Sequence, residues 1–257
     1  MGNEARSRVA SGKHGHTLIS DAKFRRLYTL ALERAQDAGG DGLNAAMASV
    51  AADLRGDDVV VVQERGTVAE FDEQVIAALS GAAADRLRKN ERLTVIVSTG
   101  PGSDPVLRDA HQLADEAKLP VLFVEDWRKM NGAATKASAP LPQKIGAMPA
   151  IPVDAEDVIA IYRVAHESMA RAREGSGPTR IQCVRWPSNN NGDAVGHLEE
   201  WLTARGLPAQ AWRREIAAEL QPRHGSANDA AGAAENIQEL RLAPATERRR
   251  ESLWQRK

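Results

Sequence analysis

The sequence predicts an α/β fold, a doubly wound and mostly parallel sheet flanked by helices, and three observations carry that prediction. Apolar runs of strand length alternate along the chain with stretches whose apolar residues recur at helical spacing. The runs Val59 to Val62, Leu93 to Val97 and Leu119 to Val124 are apolar without alternation, the pattern of parallel strands covered on both faces. Between the second and third stands Ser98-Thr99-Gly100-Pro101-Gly102, a loop that no strand can continue, followed by Asp104-Pro105, a cap and first-turn pair for a helix. Strand, loop, helix and strand make a βαβ crossover. Ligands in such sheets sit at the carboxyl ends of the strands, here Ser98 to Gly102 and Glu125 to Arg128.

In chain order, residues 1 to 16 are glycine-rich, basic and aperiodic, and read as a flexible arm. Ser20 or Asp21 caps a helix with Phe24, Leu27, Tyr28, Leu30, Ala31 and Ala35 on one face, ended by Gly39-Gly40. Leu43 to Leu54 is an alanine-rich helix, Asp58 leads into the Val59 to Val62 strand, and Val68 to about Lys89 is a long helix in which Gly81 marks a place for another backbone to approach. After the βαβ unit, residues 128 to 149 show no period, and so long a loop in a compact domain is usually functional or mobile. Ile151 to Val153 reads as a short strand, Asp157 to Arg173 as a helix opened by Asp154 or Glu156 and ended by Gly175, and Pro178 to Val184 as a further strand. Asn189 to Asn191 lies in a turn, and two short helices follow, Val195 to Arg205 and Ala209 to Leu220. Past Gln221 the composition turns to small and charged residues, with a short helix near Ala233 to Leu240 and an arginine run close to the end. The organisation expected is therefore an arm (1–16), one α/β domain (17–220) and a largely disordered tail (221–257), around a sheet of at least four strands.

Composition narrows the function classes. Lys and Arg number 34 against 35 Asp and Glu, a net charge of -1, so no global field draws the chain to nucleic acid or anionic lipid. No apolar run reaches the length of a membrane span and the first residues lack a signal-peptide core, which points to the cytoplasm. The single cysteine, Cys183, suits a reducing compartment, and its apolar surroundings mark it as a buried structural thiol. No Ser-His-Asp or metal-ligand spacing stands out, so no catalytic residue and no metal ligand is assigned. Asp109 and His111 are placed on the exposed side of an amphipathic helix, Asp53, Asp57 and Asp58 in turn and cap roles, and His197 on a helix surface. Trp201 and Trp212 either anchor a subunit interface or close the core against the last helices.

The order of segments resembles the alpha subunit of thiamine-diphosphate-dependent 2-oxo acid dehydrogenases, of the pyruvate, branched-chain and acetoin type. Asp41-Gly42 through Asp58 to Arg65, Ala78 to Ala83 through Lys118-Leu119-Pro120 and Val124, and Ile151-Pro152-Val153-Asp154 through Gly175-Ser176-Gly177-Pro178-Thr179 to Gly206-Leu207 carry the likeness, over about residues 20 to 220. The resemblance implies a thiamine-diphosphate-binding-like fold, thiamine diphosphate held through Mg²⁺, and pairing with a beta-type subunit or with a further copy. It places the cofactor-contacting positions at Arg65, Thr99, Gly100, Gly102, Asp126 and Trp127.

Several of those positions have changed character. By gap-free counting from Lys118, Thr99 stands where the family carries a metal-binding aspartate and Trp127 where it carries a metal-binding asparagine. An indole offers one N–H donor and no oxygen, so it cannot ligate a hard cation. Glu64 replaces a tyrosine beside Arg65, the stretch between Arg65 and Leu93 is short, and Arg185-Trp186-Pro187 stands where the family's histidine-bearing loop lies. The sequence is accordingly read as a shortened, non-catalytic alpha-type chain that binds the cofactor weakly or not at all. Two alternatives stand beside it. One is a divergent active subunit, in which Arg65 holds phosphate and Asp126 or Asp104 reaches the metal. The other is an anion- or nucleotide-binding module built on the Gly100 to Ser103 loop and the helix that follows.

Overall fold

A computed structural model describes residues 19–36, 43–63, 67–100, 105–128, 146–185 and 193–220. The elements run α1 (Asp21–Gln36), α2 (Asn44–Ala51), β1 (Val59–Val62), α3 (Val68–Arg88), β2 (Thr94–Ser98), α4 (Pro105–Glu116), β3 (Val121–Asp126), β4 (Ala150–Asp154), α5 (Val158–Arg173), β5 (Thr179–Val184), α6 (Ala194–Ala204) and α7 (Ala209–Leu220). Five strands pair in the order β1-β2-β3-β5-β4, and all four pairings are parallel. The short run around Ile151 is therefore a true edge strand, and the sheet has one strand more than the four that the sequence marks strongly. The arm, the tail with its helix near Ala233, the cap at Asp104 and the Asn189 to Asn191 turn lie outside the described residues.

The winding follows from crossover handedness. From β1 to β3 the chain advances one position at a time, while β5 returns from the β4 edge to sit beside β3. Right-handed crossovers travelling in opposite directions must lie on opposite faces of a sheet. Accordingly α3 and α4 cover one face, where Phe71, Val75, Leu79 and Leu107 meet Val61, Ile96, Val121 and Phe123. Helices α1, α2, α5, α6 and α7 cover the other, where Leu27, Tyr28, Ile161 and Leu202 meet Val95, Val97, Leu122, Val124, Ile181 and Cys183. Alternate residues of one strand thus enter different cores, which is why the strands carry no polar face.

Local signals set the boundaries. Thr67 and Glu70 form a reciprocal capping box that starts α3, with Glu70 N–H donating to Thr67 Oγ1 and Thr67 N–H to Glu70 Oε2. Asp157, and not Asp154 or Glu156 as expected, caps α5 by accepting from Ala160 N–H at 2.9 Å, because its side chain stands three residues before that free N–H, and Asp193 caps α6 by accepting from Gly196 N–H at 2.9 Å. At Gly175 the chain leaves α5 with φ of +83°, a backbone conformation that favours glycine, and a Cβ there would also displace the mobile end of Arg86. Gly81 does not serve the purpose expected of it. Among the described residues the only neighbour a Cβ would meet there is an Arg92 nitrogen at 3.8 Å, and no backbone approaches. Among the described residues no helix is long and apolar enough to cross a membrane.

The two helical tryptophans close the core. Trp201 lies 5.1 Å from Phe24, centroid to centroid, with the Arg205 guanidinium 4.0 Å over its ring, and Trp212 packs on the same cluster. A polar clasp joins the same helices, with the Tyr28 hydroxyl donating to Glu199 and Arg213 reaching Glu199 Oε1 at 2.8 Å. Burial first, then the Glu199 carboxylate, push the Tyr28 hydroxyl well above its ordinary range.

Candidate functional site

Parallel pairing brings the carboxyl ends of all five strands to one edge of the sheet, so Gln63, Thr99 and Gly100, Glu125 to Arg128, Asp154 and Arg185 share it. Strand β3 runs two residues further than its apolar run suggests. Glu125 and Asp126 pair with Gln182 and Cys183, and Trp127 N–H still donates to Cys183 O at 2.8 Å. A glutamate tolerates that position only because its charge is met.

Glu125 is 1% exposed and accepts from Arg180 Nε at 3.1 Å and Arg180 Nη2 at 2.7 Å. Its Oε2 also takes the Trp127 indole N–H at 2.8 Å. His111 Nε2 stands 3.0 Å from Oε1, close enough to attract but off the line of a good hydrogen bond. Burial acts to raise the Glu125 carboxyl; His111 and Arg180 outweigh it and hold the group below its ordinary range, so it is a carboxylate at neutral pH. On this same face, Gln182 Nε2 and His111 Nδ1 are buried with no hydrogen-bond partner among the described residues.

The neighbouring groups are also taken. Asp126 points to the other face and is held by Arg128, whose Nε and Nη2 lie 2.9 and 2.8 Å from Oδ1 and Oδ2 while its backbone N–H donates to Oδ1. The Thr99 hydroxyl and backbone N–H both donate to Gln63 Oε1, at 3.2 and 2.9 Å. The Ser98 hydroxyl donates to Gly100 O at 3.1 Å. Asp154 differs from Glu125: burial and the nearby Asp157 raise its carboxyl above the ordinary range. Cys183, wholly buried, is pushed up to about 12 by burial and then by Asp126, which makes it the inert thiol that its sequence context suggests.

Of the positions singled out in the sequence, Thr99, Gly100, Asp126 and Trp127 come together at this edge. Arg65, Glu64, Gly102, Asp104 and Trp186 lie outside the described residues. Two residues were missed or misplaced. Arg180 follows a Gly-x-Gly-Pro-Thr turn and looks like a surface arginine in sequence, yet it is among the largest fully buried side chains. For His111 the sequence predicts an exposed helix face; it is wholly buried, edge-on to Phe123 at 4.4 Å. Its spacing from Leu107, Ala110 and Ala114 was the available signal, since all four fall on the buried side of α4. The acidic cluster also reaches further than turn and cap roles. Asp58 accepts from the Arg55 and Leu93 backbone N–H groups and from Arg173 at 2.6 and 2.8 Å. Asp53 takes Lys23 and His166, each at 2.6 Å.

As donors, the groups at the two positions implied by the resemblance suit a dication poorly. A threonine hydroxyl is a weak neutral ligand, and an indole is none. Among the described residues no three acidic, histidine or cysteine side chains gather to hold a metal.

The architecture and the strand-end placement of the site define a parallel α/β protein of the kind that binds ligands at its carboxyl edge. The chain belongs to the dehydrogenase E1 component family, whose model matches residues 13–189. It is 29% identical over 149 residues to the alpha subunit of acetoin:2,6-dichlorophenolindophenol oxidoreductase from Bacillus subtilis, covering 51% of this chain and 44% of that one. It is 32% identical over 150 residues to the alpha subunit of 3-methyl-2-oxobutanoate dehydrogenase from Mycobacterium tuberculosis, covering 52% and 41%. The chain thus spans under half the length of the curated relatives it matches. Among solved structures, transketolase from Campylobacter jejuni aligns over 86% of this chain and 48% of its own, at 11% identity and a TM-score of 0.41.

Proposed function

We propose that this protein is a non-catalytic member of the family, a shortened alpha-type chain that keeps the fold and a subunit-pairing role without binding magnesium thiamine diphosphate. One observation carries the reading: the polar groups described on strands β2 and β3 at the carboxyl edge are matched to partners from the same chain. Glu125 is matched by Arg180 and Trp127, Asp126 by Arg128, and Thr99 by Gln63. A metal diphosphate would have to break these contacts and would gain in exchange neither a carboxylate at residue 99 nor a side-chain carbonyl at residue 127. Asp126, the residue best placed to substitute as a ligand, is held on both oxygens by Arg128, which works against the divergent-enzyme alternative.

The partner in this reading is a beta-type subunit or a second copy, and the buried lone thiol is in keeping with a cytoplasmic setting. Calorimetric titration with thiamine diphosphate and Mg²⁺, together with a 2-oxo acid decarboxylation assay, tests it. No heat of binding and no turnover are expected, alone or with co-expressed neighbouring gene products. Micromolar binding with decarboxylation would sink the proposal. Native mass measurement of the same co-expressed samples should show a complex larger than the single chain.

A further inference from the structure

We propose that the end of β3 is a subsite for a flat heterocycle bearing an N–H beside a ring acceptor, and that Trp127 occupies it from within. The inference rests on the preceding reading only in taking this edge as closed to a metal diphosphate. Trp127 is the first residue past the strand, yet it is 3% exposed and its backbone still follows the sheet. Its indole N–H points into Glu125 Oε2 at 2.8 Å, and that carboxylate is fixed in advance by the two-point contact from Arg180. A buried anion oriented this firmly is a preformed acceptor for an N–H at the very position where ligands of parallel sheets lie.

The indole is an incomplete occupant. It satisfies Glu125 and has nothing to offer Gln182, which pairs with Glu125 across β3 and β5, shares its face and leaves a buried Nε2 without a partner among the described residues. An unmade hydrogen bond at so buried a donor is costly, and such groups in native proteins generally mark a missing partner. A heterocycle with a ring nitrogen next to its N–H would donate to Glu125 and accept from Gln182 together. That pattern, donor beside acceptor on a planar ring, is the ligand class the geometry selects. Trp127 then acts as an internal plug, and Glu125 is the residue that positions it.

The test uses the full chain carrying Trp127→Gly, since cavities left by large side chains take up matching small molecules. The probes are indole, which has the donor alone, and 7-azaindole, its isostere with the adjacent acceptor. Both should bind in calorimetry, with 7-azaindole tighter by about five-fold, the effect of one added neutral hydrogen bond. Adding Gln182→Leu should erase the preference while leaving indole binding in place. Binding of neither ring, or equal affinity for the two, overturns the proposal. A second measurement needs no cavity variant: Gln182→Leu in the otherwise unaltered chain should hold or raise the thermal midpoint, because it removes an unpaired buried donor. A clear fall would show that the amide has a partner and would overturn the proposal by itself. The thiamine diphosphate titration of the unaltered chain decides the earlier reading separately, so either can fail while the other stands.

Discussion

The two ends of the sheet are both lined with charge, but the charges do different work. At the amino end, Asp58 ties the start of β1 to the start of β2 through Leu93 N–H and to the end of α5 through Arg173, and Asp85 ties α3 to Arg92 at 2.6 Å. These contacts join different elements and are themselves largely buried. At the carboxyl end, Asp126 is answered two residues along by Arg128 and Glu125 two residues along by Trp127, with Arg180 crossing from β5. Here the groups turn on one another. In a parallel α/β protein the amino end is where stability is built and the carboxyl end is where groups are left free for a ligand. This chain pairs its charges at both ends, and that likeness is the observation on which the proposed closed site rests.

The largest test of that contrast is Arg180→Met, which leaves Glu125 buried without its main cation and should cost about 3–5 kcal/mol in urea unfolding. Glu125→Leu with Arg180→Met together should recover most of the loss, since an apolar pair of similar volume replaces a buried ion pair at little cost. If the single variant costs under 1 kcal/mol, the carboxyl end is not the tightly built structure described. At the amino end, Asp58→Ala removes a two-point contact to Arg173 and two backbone acceptances, and about 2–3 kcal/mol should go in the same measurement.

Acid should weaken both ends. Burial acts to raise Asp58, but Arg173 and the Arg55 and Leu93 N–H groups outweigh it and hold its carboxyl below the ordinary 3.8. Glu125 is likewise held below 4.5. The unfolded chain therefore takes up protons at higher pH than the folded one, so the stability these groups supply is complete above about pH 5 and is lost as pH falls through their folded values. Asp154, raised by burial and Asp157, runs the opposite way and offsets a part. Urea midpoints measured from pH 6 downward should thus fall below about pH 4.5, and a flat profile would contradict the pairing at both ends. The smallest effect belongs away from both: Thr67→Ala removes one arm of the capping box on α3 and should cost about 1 kcal/mol, with no bearing on any ligand.

Much of the fold was legible in sequence because it rests on short-range pattern. The unalternated runs gave the central strands, the spacing of Phe24, Leu27, Tyr28 and Ala31 gave the first helix, and Gly175 gave the end of α5. The site was legible only in outline. Thr99 and Trp127 could be located by counting along the resemblance, but what satisfies them could not, because Gln63 and Arg180 come from strands 36 and 55 residues away from Thr99 and Glu125. The end of β3 was set two residues short for the same reason. Glu125 looks like the start of a loop until Arg180 is placed beside it. His111 shows the converse error, in which a polar residue was assigned to solvent although its helical position faces the sheet.

By itself, then, the sequence determined the alternation of strands and helices, and the threonine and the indole that stand at residues 99 and 127. These depend on residues near one another in the chain or on the identity of a single side chain. Only the tertiary structure decided that Glu125, Asp126 and Thr99 are met by Arg180, Arg128 and Gln63 and that an indole lies against Glu125 at the end of β3. That outcome depends on which charges meet across β3 and β5, and a parallel pairing brings together residues that no local pattern connects.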